Sequence, residues 1–132
     1  MSTREKIFKA TLLAKTLGNL TIWGPLLLLA PGSLLDALDL PNSMYLRLCG
    51  FAGILLALCF WQGYQDPERN FWIVRIIALD CALFSVLVLY FGLTSSIPWI
   101  LQASGVLTFI FTLILILSGG RKFLRRCFVY RD

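Results

Sequence analysis

Apolar and polar residues fall in blocks along this chain. Four apolar blocks stand out, at about residues 7–29, 44–64, 71–91 and 99–118. A helix needs about 20 apolar residues to cross the hydrocarbon core of a bilayer, and each block is close to that length. The pattern predicts an all-α integral membrane protein. Its plan is a four-helix antiparallel bundle with a short interfacial helix between helices 1 and 2, all within one domain, residues 1–132.

The breaks between blocks carry helix-stop and turn signals. Pro31 and Gly32 end the first block, and Ser33 is placed to cap a new turn. The following LLDAL is too short to span, so it is expected to lie in the interface, with Pro41 closing it. QDPERN is a polar turn around Asp66 and Pro67, and GLTSSIP places Pro98 at the start of the fourth helix. Gly119 and Gly120 stop that helix, leaving a basic cytoplasmic tail at 119–132. Short connections make sequential helices antiparallel neighbours.

Composition strengthens this picture. Hydrophobic residues make up 58% of the 132 and charged residues 14%, against roughly 25% charged in average soluble domains. A soluble chain this short lacks the interior to hide so much apolar surface. Lys15 interrupts the first block and no small-x-small cleavage site follows, so this block is read as retained rather than as a cleaved signal.

The net charge of +5 is concentrated at the ends, in Arg4, Lys6, Lys9 and Lys15 and in Arg121, Lys122, Arg125, Arg126 and Arg131. It forms no basic face interleaved with aromatics, so nucleic acid is not an expected partner. The excess of Lys and Arg beside the N-terminus, the QDPERN turn and the tail puts both termini in the cytoplasm. Trp61, Tyr64 and Trp72 then mark one interface, and Tyr45, Tyr90 and Trp99 the other. The expected location is a membrane.

A charge inside the membrane is costly and marks a candidate site. Asp80 lies roughly 13 Å along the third helix, near its middle. Arg75, five residues earlier, is about 140° round that helix and is poorly placed to meet it. Lys15 of the first helix is the better partner, on a polar stripe with Thr11 and Asn19. The pair reads either as a structural ion pair or as a ligand or proton site with Asn19 beside it. Arg47 is expected to snorkel to the interface or to clamp Asp36 and Asp39, with Gln102 as a further neighbour. Arg75 is expected to snorkel or to pair with Glu68 or Asp66.

Small and hydroxyl residues predict close helix contacts. Gly50, Gly53 and Ala57 share one side of helix 2, Ala78, Ala82 and Ser85 one side of helix 3, and Ser104, Thr108 and Thr112 one stripe of helix 4. Three of the four cysteines, Cys49, Cys59 and Cys81, sit in apolar stretches as small hydrophobes. Cys127, in the basic tail, is a weak palmitoylation candidate, and the tail itself is suited to lie on anionic lipid. The chain has no His and no Walker, GxSxG, HExxH or CxxC motif, so no metal, no cofactor and no catalysis are expected.

Three stretches, LLLLAPGSLLDAL, YLRLCGFAGILLAL with Arg47, Gly50 and Gly53, and the Asp66–Pro67–x–Arg69 turn, resemble the DoxX-like small bacterial membrane proteins. The resemblance implies a four-helix inner-membrane bundle. The expected function is a non-catalytic scaffold or accessory subunit that contacts itself or a larger membrane complex. The alternative is a lipid- or isoprenoid-binding bundle, its midplane pocket lined by Asp80, Lys15 and Asn19. Membrane lipids are partners in either case.

Overall fold

The computed structural model describes residues 1–129. Arg131 of the basic tail lies outside the described residues. The described residues form helices joined by short turns, with no strand among them, and four helices are long and apolar enough to cross a membrane: Thr3–Leu29, Met44–Gln65, Phe71–Thr94 and Trp99–Phe128.

The first of these contains α1 (Thr3–Leu17), a π-helical turn (Gly18–Trp23) and α2 (Gly24–Leu29). Ser2 and Glu5 form a capping box at its start. The wide turn comes just before Pro25. A proline has no N–H to donate and its ring crowds the carbonyl four residues back. Here the Gly24 N–H reaches the Asn19 carbonyl, five residues back, and the helix continues across the obstruction.

The short helix α3 (Gly32–Ala37) starts two residues earlier than expected. Pro31 takes the capping position and Ser33 lies inside the helix, without a side-chain cap. Asp39 closes α3 in the left-handed region, φ 58°. The Leu40 N–H bonds the Leu35 carbonyl at 2.8 Å and the Asp39 N–H bonds the Asp36 carbonyl at 3.1 Å. This is a Schellman closure. Its companion apolar contact is present, because Leu35 and Leu40 are buried together with Leu27 and Ala30. One side of α3 therefore packs on protein.

Ser43 caps α4 (Met44–Gln65) by accepting from the Leu46 N–H at 3.3 Å. In the turn to α5 (Phe71–Thr94), Asp66 accepts from the Arg69 N–H and the Asn70 amide donates to the Gln62 carbonyl, both at 3.1 Å.

In α6 (Trp99–Phe128) the expected stop at the glycines is instead a sharp break. Gly120 has φ 65° and ψ −165°, a conformation open essentially to glycine alone. Beyond it the chain turns helical again through Phe128 and folds onto the other helices. Phe123 and Cys127 are buried in one core cluster with Leu12, Phe60, Ile73, Val74, Ile77, Cys81 and Leu115. This part of the tail is a packed arm rather than a free segment.

α1 packs against α4 and α6, α4 against α2 and α5, and α5 against α6. Glycines set the closest approaches. A Cβ on Gly50 would stand 2.5 Å from the Leu28 nitrogen, one on Gly63 2.8 Å from Ile73, and one on Gly105 2.8 Å from Val88. The outer surface remains apolar, with Leu83 67%, Val86 64% and Leu93 89% exposed. That surface suits hydrocarbon rather than water.

Candidate functional site

Lys15 and Asp80 meet. The Lys15 Nζ stands 3.0 Å from Asp80 Oδ2, and Nζ also lies 6.0 Å from the centre of the Phe84 ring. The Lys15 side chain is 8% exposed, whereas that of Asp80 is 33% exposed. The ammonium is thus enclosed by protein and the carboxylate keeps one open side. Nearby hydroxyls are satisfied within their own helices: Thr11 donates to Ile7 at 2.9 Å, Thr16 to Leu12 at 2.8 Å and Ser85 to Ala82 at 2.9 Å, all at backbone carbonyls. They make no further demand on the ion pair.

Asn19 sits at the opening of the π turn, and what it supplies there is its backbone carbonyl. Its side chain makes no hydrogen bond to Lys15 or Asp80 among the described residues.

Arg47 does something other than clamp Asp36 and Asp39. Its guanidinium donates to the Leu28 carbonyl at 3.1 Å, the Leu27 carbonyl at 3.5 Å and Asn42 Oδ1 at 3.0 Å. Leu27 and Leu28 belong to the last turn of α2, where carbonyls lack helical partners and the helix dipole is negative. Arg47 therefore caps α2 from α4 and ties both to the α3 connection. Gln102 does not join it. Its amide donates to the Ile97 carbonyl at 3.2 Å, and its stem packs beside Gly92.

The small residues divide. Gly50 and Ala57 are buried, whereas Gly53 is looser, its nearest neighbour being Gly24 at 3.9 Å from an added Cβ. Ala78 and Ala82 are half-buried and line a shallow groove with Leu115, Phe123 and Cys127. Ser104 and Thr108 bond carbonyls of their own helix at 2.9 and 2.7 Å. They ease packing and bridge no helices.

A roomier cleft lies elsewhere, at the end where α1 begins, the α4–α5 turn lies and the arm returns. Its volume is about 510 Å³, within the usual range for a ligand pocket. Three aromatic rings converge there. Phe123 packs edge-on against Phe8 at 5.1 Å and against Phe71 at 6.0 Å between centroids. Glu5, Lys9, Asp66, Glu68, Lys122 and Arg126 stand around them. Arg126 is bonded to Glu68 at 2.8 Å and lies 3.9 Å from the centre of the Phe71 ring. Glu68 therefore belongs to Arg126, which takes one of the two carboxylates expected as partners of Arg75. Asp66 is held by the Arg69 N–H and Glu5 accepts from the Ser2 N–H at 2.6 Å.

Sequence reading missed this cleft. Its capping box was visible as Ser2-x-x-Glu5, and the arm's buried face as Phe123 and Cys127 four residues apart. The Glu68–Arg126 bond carried no such signal, because its partners are 58 residues apart. Compared with known proteins, the chain matches no family model, no curated protein and no solved structure, so geometry alone supports the functional reading.

Proposed function

We propose that this chain is a non-catalytic membrane scaffold or accessory subunit, built as an antiparallel four-helix bundle in a bacterial inner membrane. The reading keeps both termini cytoplasmic, in line with the basic residues at the chain ends. It also keeps the DoxX-like resemblance as a proposal, resting on the same short motifs.

One observation carries the functional claim. Asp80 is midway along a membrane helix and a third of its side chain is uncovered, although Lys15 neutralises it. An acid edge left against lipid is costly. A helix from a second copy or from a larger complex removes that cost by covering it. Close contacts through Gly50, Gly63 and Gly105 give the bundle a firm body on which a partner can dock. The alternative, a lipid or isoprenoid pocket around Asp80, has less support, because the 510 Å³ cleft is lined by other residues.

The test is native mass spectrometry of the full chain purified from its own membrane in mild detergent. A complex of fixed stoichiometry is expected, and the double variant Lys15→Met/Asp80→Leu is expected to lose it. A chain that runs alone, or a complex indifferent to the double variant, overturns the proposal.

A further inference from the structure

The geometry points to a second, separate site: the cleft at the charged end holds the phosphate head of an anionic amphiphile. Three features combine. The Phe8, Phe71 and Phe123 rings give an apolar wall on which an alkyl or glycerol portion packs. Two cations at the cleft, Lys9 and Lys122, have no carboxylate partner among the described residues; of the carboxylates there, Glu68 is paired with Arg126, while Glu5 and Asp66 accept backbone N–H groups. A flexible ammonium carrying three donors is suited to phosphate oxygens. The volume of about 510 Å³ accepts a head group with its first carbons.

The position agrees with this chemistry. The cleft lies where α1 and α5 begin and next to the break in α6, so it opens at the height of lipid head groups. The folded-back arm supplies both Phe123 and Lys122, so one helical segment contributes to the wall and to the charge. Arg126 is occupied by Glu68 and Phe71 and keeps the arm in place. The ligand's phosphate has two sources, a membrane phospholipid or a soluble phosphorylated compound, and the shared chemistry is an anionic phosphate beside an apolar group.

The experiment uses the full-length chain, delipidated in neutral detergent and titrated with phosphatidylglycerol, phosphatidylcholine or inorganic phosphate under native mass spectrometry. Phosphatidylglycerol is expected to be retained over phosphatidylcholine. Retention is expected to fall about thirtyfold in Lys9→Gln/Lys122→Gln, the combined worth of two basic residues facing an anionic lipid. The control Arg4→Gln/Lys6→Gln removes the same charge outside the cleft and is expected to change retention less than about threefold. Displacement of the lipid by inorganic phosphate assigns the site to phosphate recognition as such, and its absence assigns it to the whole lipid. Equal retention of both lipids, or equal loss in the two double variants, overturns the site. These outcomes are read as lipid mass, so they are independent of whether a protein partner is present.

Discussion

Removing Asp80 alone and removing it together with Lys15 are different perturbations. Asp80→Asn leaves the Lys15 ammonium enclosed at 8% exposure without its counter-charge. Breaking a buried pair in this way costs about 3–5 kcal/mol, whereas replacing both partners by apolar residues is often close to neutral. Thermal unfolding in detergent is expected to show a large drop for the single variant and recovery of most of it in Lys15→Met/Asp80→Leu. Equal drops in both would mean that the pair is not the element at stake. At Asp39 the expected change is of opposite sign. Its φ of 58° is a conformation glycine adopts without strain. Asp39→Gly is expected to be neutral or to stabilise by up to about 1 kcal/mol in the same measurement.

Between elements, contact distances rank the glycines. A methyl group on Gly50 would press on backbone atoms of α2, which cannot swing aside, while one on Gly53 would meet ordinary contact at 3.9 Å. Gly50→Ala is expected to cost about 1–3 kcal/mol, and Gly53→Ala to change the unfolding temperature little. Sequence reading placed both on one face and could not separate them, because the difference depends on where α2 passes. Gly120 acts on a whole element. Any side chain is strained at its φ and ψ by about 1–3 kcal/mol, so Gly120→Ala is expected to release the arm. The readout is maleimide labelling of Cys127, buried in the native fold, in a chain with the exposed Cys49 and Cys59 replaced by Ala. Faster labelling is expected in the variant, and unchanged labelling would show that the arm is held without the Gly120 conformation.

For the whole molecule, the proposal requires an even number of crossings with both ends on one side. Reporter fusions at either terminus are expected to report the cytoplasm, and a reporter within the 95–97 loop the opposite side. A split result at the two termini would remove the four-crossing reading.

Much of this protein was legible before its structure. Segment lengths, proline and glycine punctuation and the clustering of Lys and Arg are local properties, and they determined four apolar helices, their order and the proposed orientation. The Lys15–Asp80 pair was also within reach, since two opposite charges in otherwise apolar helices have few other places to go. What the tertiary structure decided depends on distance between elements. It directed Arg47 to the α2 carbonyls, turned Gln102 back to Ile97, gave Glu68 to Arg126 and folded the arm over its own helices to build the cleft. A helix pattern tells which residues share a face, but not which neighbour approaches it, nor how sharply a glycine turns the chain.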